Sequence, residues 1–324
     1  MNRTVSRRTF IAGSVAGVTT AGCGSLKSRS GGDPSKMPLR PLGVTGEMVS
    51  VLAFGGGSRY CTICKDEKEA ERIIHRSIEL GVNYFDNAYA YGENQLSQKR
   101  YGWYLCPTYR DQIFLTNKSL QRTADEYMRE FDESLKNYKT DHIDLMYFHG
   151  VDLMADMDTI TGKGGAFEAA RKLVDQKVVR FIGMTGHSNP DTFIQGIDRM
   201  HLDVVMFPCN AAREMQMQER IIPYAHSKNV AVVAMKTTAQ DQLVGKGGAK
   251  APDLVRYSMG LPVSAAAVGI PSMAVLESCA DIARNFTPMT DSEKQALEKK
   301  VETAVSDGSL YYLKPGYRDG YSVV

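Results

Sequence analysis

Short apolar runs alternate with stretches of helical period eight times along this chain, which predicts a closed (β/α)8 barrel, the TIM-barrel architecture. Three observations carry that prediction. The order is strand then helix throughout, so the strands are parallel. The repeats fill roughly 240 residues, the size of such a barrel. Gly55-Gly56-Gly57 after the first strand lacks the G-x-G-x-x-G spacing, which argues against an open dinucleotide-binding sheet.

In chain order, 38–45 reads as an opening hairpin that plugs one end of the barrel. A strand at 49–54 ends in the three glycines, which make a tight turn or let backbone approach a ligand closely. Helix 66–80 places Ala70, Ile73, Ile74, Ser77 and Ile78 at helical spacing and is stopped by Gly81. Strand 82–85 follows, then helix 94–105, strand 113–117, helix 123–138 and strand 143–148. Glu126, Arg129, Glu130, Glu133 and Lys136 read as the solvated face of helix 123–138. The second half continues with helix 165–176, strand 178–183, helix 190–200, strand 204–207 and helix 217–228. Strand 230–235, helix 252–259, strand 265–268 and helix 274–285 complete the repeats. An extra helix at 290–305 leads to an aromatic tail, Tyr311-Tyr312 and Tyr317, that folds over a barrel mouth or forms a partner surface.

Three successive strands close on groups that can move or polarise a proton. Strand 82–85 delivers Asp86, with Tyr91 five residues on; strand 113–117 ends at Lys118; strand 143–148 ends at His149. Asp86 with Lys118 could be a structural ion pair and His149 a core histidine. Their joint occurrence at consecutive strand ends, which share one face of a parallel barrel, points instead to a functional site.

Phe85-Asp86-Asn87-Ala88 with Tyr91-Gly92, Thr116-Asn117-Lys118 and Tyr147-Phe148-His149 resemble the motifs of the aldo-keto reductase family, over about 39–283. The resemblance implies hydride transfer between a nicotinamide cofactor, NADP or NAD, and an aldehyde, ketone or sugar-like substrate. Tyr91 is then the general acid, or the base in the oxidative direction. Lys118 is expected to bring the phenol down from its ordinary pKa of about 10. Asp86 keeps Lys118 charged, and His149 orients the carbonyl oxygen where negative charge develops. For the cofactor, the resemblance implies Thr185 as a contact, the loops after strands seven and eight, where barrels bind phosphate, offer Lys236 and Ser272, and Gly57 lets backbone approach the ligand. Ser272 could equally be a helix N-cap. The chain departs from the family where Thr185-Gly186 replaces Ser-Asn and Met206 replaces Gln. Pro271 and Glu277 lie where a basic residue for a 2′-phosphate would stand, so NAD versus NADP is open. His187 lines the site or caps its loop. A second reading is a barrel serving as a binding or accessory subunit in the cell envelope. A metal hydrolase is a third, but Asp86, His149 and His187 lack tight ligand spacing, and no metal is expected.

Residues 1–36 read as signal and tether, and 37–324 as the barrel with its extra helix and tail. Ser6-Arg7-Arg8-Thr9-Phe10-Ile11-Ala12 resembles a twin-arginine export signal. Thr20-Ala21-Gly22-Cys23 resembles a lipoprotein cleavage site with Cys23 as the lipid anchor, or marks an ordinary signal cut nearby. The expected location is periplasmic, or anchored on the outer side of the membrane. Export implies a cofactor loaded inside and carried out tightly bound, with a second substrate or electron partner to reset it. The 324 residues carry a net charge of only +2 and no dense Lys/Arg tract, so nucleic acid is not an expected partner. Six cysteines include the pair Cys61 and Cys64, a C-x-x-C without the second pair a zinc site needs.

Overall fold

The computed structural model describes residues 36–306, 309–314, 317 and 319. The expectations for export and for a lipid anchor at Cys23 lie outside the described residues. Two short strands, β1 (Leu39–Pro41) and β2 (Met48–Ser50), pair antiparallel. Eight parallel strands then close a barrel: β3 (Leu52–Gly55), β4 (Tyr84–Asp86), β5 (Phe114–Ser119), β6 (Ile143–Phe148), β7 (Val179–Thr185), β8 (Val204–Pro208), β9 (Ala231–Met235) and β10 (Ala265–Gly269). β10 pairs with β3 to complete the circle.

The first predicted strand is thus split. Val49 and Ser50 belong to the hairpin, and the barrel strand begins at Leu52. Ser50 turns its hydroxyl onto Leu52 O (2.6 Å) and Val51 N reaches back to Pro38 O (3.0 Å), so one extended run becomes two. Leu42 and Val49 pack with the interior side chains, and a Cβ at Gly43 would touch Ala231 at the start of β9. The hairpin therefore plugs the end where the barrel strands begin.

Helices cover the outside: α1 (Glu67–Glu79), α2 (Leu96–Tyr104), α3 (Cys106–Tyr109), α4 (Ala124–Tyr138), α5 (Met154–Thr161), α6 (Ala166–Asp175), α7 (Pro190–Met200), α8 (Met217–Ser227), α9 (Ala251–Met259), α10 (Met273–Arg284) and α11 (Asp291–Ser306). Asp66 caps α1 by accepting from Lys68 N and Glu69 N, so the helix proper begins one residue after the expected 66. α2 starts later than its apolar pattern indicates, because Asn94 and Gln95 take left-handed φ of 51° and 56°. α5 was not anticipated. It buries only Met157 and Ile160 and has no side-chain cap, so its sequence signal is thin. Glu130 on α4 faces inward, not to solvent: Ser119 Oγ and Gln121 Nε2 donate to its carboxylate, each at 2.7 Å. The tail folds back on the barrel, with Tyr312 buried in a cluster with Leu254, Leu297 and Val301. Among the described residues no helix is long and apolar enough to cross a membrane.

Alternation along the strands decides what enters the site, since successive side chains point to opposite faces. Phe85, Leu115, Met146 and Phe148 pack outward against the helices. Tyr84, Phe114, Leu145 and Tyr147 fill the interior. Stepping by two along each strand carries that inward series on to Asp86, Lys118 and His149 at the strands' C-terminal rim.

Candidate active site

The structure brings the four sequence-derived residues together. Lys118 Nζ lies 2.6 Å from Asp86 Oδ2, 2.8 Å from Asn87 O and 3.2 Å from the Tyr91 hydroxyl. Thr116, one inward step before Lys118 on β5, donates to the other Asp86 oxygen at 3.0 Å. Asp86 and Lys118 are 5% and 1% exposed, so the pair is held by protein contacts, not by water. Tyr91 arrives on the loop after β4, which turns at Gly92 with φ 78°. Its ring meets the His149 ring edge-on, centroids 5.7 Å apart. Gly56 is packed against this corner: its N–H donates to Asp86 O, and a Cβ there would sit 2.7 Å from that oxygen.

Asp319, from the tail, joins them. Its Oδ2 accepts from the Tyr91 hydroxyl and lies against His149 Nε2, each at 3.2 Å. Its Oδ1 accepts from Lys236 Nζ at 2.9 Å and from the Tyr317 hydroxyl at 2.6 Å. His187 Nε2 is 3.8 Å from Oδ2, while His187 Nδ1 stands 3.4 Å from Asp152. Sequence reading missed Asp319, because a single acid in a tail has no strand or period to place it.

Electrostatics follow from this burial. Desolvation pushes the Lys118 ammonium down and the Asp86 carboxyl up, against the attraction between them. Burial also acts to raise Asp319, but the Lys236 ammonium, the His149 hydrogen bond and His187 hold it well below the usual carboxylate range. His149 is lowered to about 4 by burial and is neutral near pH 7. Facing a carboxylate, Nε2 is the nitrogen that must carry the hydrogen, and among the described residues its Nδ1 has no hydrogen-bond partner. The Tyr91 phenol is pushed well above 10, first by burial and then by the Asp319 and Asp86 charges. This corrects the expectation that Lys118 lowers it: in this arrangement burial and the two carboxylates outweigh the ammonium.

A model of the Aldo/keto reductase family matches residues 53–255, more than half of the chain and a span that holds Asp86, Tyr91, Lys118 and His149. The chain belongs to the aldo/keto reductase family. It is 29% identical over 227 residues to L-galactose dehydrogenase of Arabidopsis thaliana, covering 66% of this chain and 69% of that one. It is 28% identical over 199 residues to the aldo-keto reductase YhdN of Bacillus subtilis (strain 168), covering 56% and 55%. Among solved structures, the holo form of an aldo-keto reductase from Bacillus halodurans superposes with a TM-score of 0.66 at 24% identity, covering 82% of this chain and 96% of that one. That last likeness supports the fold.

In this aldo/keto reductase a cavity of about 330 Å³ runs from Asp86 and Tyr91, past the loops after β9 and β10, to the space between α9 and α10. Small residues open it: Gly55, Gly57, Ala267 and Gly269 contribute little or no side chain to its wall. Gly57 lies against the Tyr91 ring, where an added Cβ would be 3.5 Å from Cε2. Lys236 also lines the cavity, carried there by a left-handed backbone turn (φ 55°) just beyond β9. Thr185 is not among the lining residues, and Ser272 stands at the rim between the lining residues Pro271 and Ala274. The Thr185 hydroxyl accepts from Gly150 N at 2.9 Å, and Ser272 caps α10 by accepting from Val275 N. The trough suits an extended nucleotide: one cation beside the reaction end, glycine walls, then an apolar slot of Val255, Ala274, Val275 and Ile282 for a flat base. Cys61, Cys64, Cys106, Cys209 and Cys279 are buried free thiols.

Proposed function

We propose that this chain interconverts a carbonyl and its alcohol on a small, sugar-like substrate, with Tyr91 as the group that moves the proton. One observation carries the reading: a single oxygen, Asp319 Oδ2, is within 3.2 Å of both Tyr91 Oη and His149 Nε2. The two donors converge on one point, which is the geometry needed to receive a substrate oxygen. A bound nicotinamide cofactor supplies or takes the hydride at the substrate carbon.

The chain's own groups handle the rest. Tyr91 Oη gives its proton to the carbonyl oxygen in reduction and recovers it in oxidation. His149 Nε2–H donates to the same oxygen and fixes its direction. Lys118 donates to Tyr91 Oη and stabilises the phenolate left behind, while Asp86 aims the ammonium. Asp319 must leave that point before substrate can occupy it. Its departure removes the largest charge raising the Tyr91 phenol at the same moment that it opens the site. Gly57 and the apolar slot would hold the nucleotide, with Lys236 facing its phosphates once Asp319 has released it.

The sugar-like class is supported by the printed name of the Arabidopsis relative. The test is a panel of aldoses and simple aldehydes assayed in both directions with NAD(H) and NADP(H). Turnover with a sugar, abolished in Tyr91→Phe, supports the reading; no turnover with any panel member sinks it. Arg7-Arg8 supports export by the twin-arginine route as a further part of the proposal. Replacing both arginines with lysine should retain the protein in the cytoplasmic fraction, and unchanged fractionation would refute export by that route.

A further inference from the structure

The loop after β7 carries a buried imidazole that the chemistry above leaves unused. His187 is 2% exposed, and its Nε2 has no hydrogen-bond partner among the described residues. A buried polar atom left unpaired costs stability, so its presence calls for a partner that arrives with a ligand. It stands beside the reaction point. Asp319 Oδ2, at 3.2 Å from both Tyr91 Oη and His149 Nε2, is 3.8 Å from His187 Nε2, outside hydrogen-bond reach.

Asp152, on the segment after β6, holds the ring in place. Its Oδ1 accepts from His187 N at 2.6 Å and from Ser188 N at 2.8 Å, which locks the loop. Its Oδ2 stands 3.4 Å from His187 Nδ1. Burial acts to raise this carboxyl, but His187 and the two amides hold it below the usual range, so a charged acceptor faces Nδ1 and keeps a hydrogen there. Gly186 permits the approach: a Cβ at that position would lie 2.9 Å from Phe193 Cε2 and 3.1 Å from Asp152 Oδ1. The departure from the family's Ser-Asn is thus the place where Asp152 and His187 meet. Tyr317 braces the imidazole edge-on, with centroids 5.0 Å apart.

When substrate replaces Asp319, its reacting oxygen takes the Oδ2 point. A hydroxyl on the adjoining carbon then lies a hydrogen bond's length from that oxygen, within reach of His187 Nε2. With Nδ1 carrying its hydrogen, Nε2 accepts from the hydroxyl when the ring is neutral and donates to it when the ring is charged. A hydroxyl satisfies either form. A C–H in its place satisfies neither and leaves Nε2 unpaired.

We propose that His187 is a specificity-determining residue that hydrogen-bonds a hydroxyl next to the reacting carbonyl, so that the enzyme favours 2-hydroxy carbonyl compounds over their deoxy counterparts. This rests on the carbonyl-reducing function proposed above.

The experiment compares kcat/KM of the full chain for 2-hydroxypropanal, 3-hydroxypropanal and propanal, with NADH and with NADPH. The wild type should favour 2-hydroxypropanal over the other two by roughly tenfold to a hundredfold. The ratio between substrates is the readout, because a general loss of activity or stability moves all three alike. His187→Phe should bring the ratio close to one. His187→Gln, whose amide can still bond a hydroxyl, should fall between the two. No preference in the wild type overturns the proposal, and so does an unchanged ratio in His187→Phe, which would turn the hydroxyl toward Lys236 instead. Where His187→Phe does not fold, a ratio in His187→Gln at or above that of the wild type overturns it. Turnover of none of the three, in a protein that also fails on every sugar, sinks the carbonyl-reducing reading itself; turnover of all three at equal rates sinks the role of His187 alone.

Discussion

The Asp319 carboxylate stands 3.2 Å from the Tyr91 hydroxyl, at the point where His149 Nε2 also aims. Because it belongs to the same chain, it competes with substrate at a high effective concentration. A charge-assisted hydrogen bond of this kind is worth about 1.5–3 kcal/mol. Asp319→Ala should therefore lower KM for the carbonyl substrate by roughly tenfold, with kcat unchanged or raised. Steady-state kinetics decide it: a fall in kcat at constant KM would place Asp319 in the chemistry rather than in competition with substrate.

Tyr91→Phe removes the proton-transferring hydroxyl and leaves the ring against Gly57 and His149. Loss of general acid catalysis should cost roughly 10²–10⁴ in kcat. Nucleotide affinity should change little, because the hydroxyl's partners are Lys118 and Asp319. Single-turnover rates beside binding isotherms test this; a variant that still turns over within tenfold of wild type would remove Tyr91 from its role.

Asp86 and Lys118 form a buried pair whose members depend on each other. Removing one partner leaves the other without compensation, at a cost of roughly 3 kcal/mol. Lys118→Met should lower the unfolding free energy by about that amount. The double variant Asp86→Asn with Lys118→Met should cost less than the sum of the two single changes. Urea unfolding of all four proteins gives the coupling, and strict additivity would show that the 2.6 Å contact carries none.

His149 makes the fold sensitive to acid. Its imidazole is lowered to about 4 in the folded chain, while an unfolded histidine titrates near 6.5. Between those values the unfolded state binds more protons, so stability falls as pH drops through that window, by up to about 1.4 kcal/mol per unit. Asp319 acts lower down. Its depressed carboxyl contributes stability above its unfolded value that is lost only as pH falls through its folded value. Melting temperatures of wild type and His149→Gln from pH 7 to 4 check the assignment. The variant should lose most of the slope, and an equal slope would locate the acid sensitivity elsewhere.

What the sequence by itself determined is whatever repeats or alternates locally. Eight strand-helix units specify the barrel because each apolar face must be buried by its neighbour. Period-two alternation carries Asp86, Lys118 and His149 to one rim, since each lies an even number of steps from an interior residue such as Tyr84, Phe114 or Tyr147. Helix 66–80 and Pro190 as the start of α7 were legible for the same reason. Tertiary structure alone decided the rest. It set Asp319 among Tyr91, His149 and Lys236, turned Glu130 inward, and stationed Glu69 at the start of α10, more than two hundred residues away in sequence. None of these contacts has a period or a neighbour in sequence to announce it. Each exists because the closed cylinder and its returning tail bring distant charges together where water is excluded, and there a single unpaired charge costs more than any local propensity supplies.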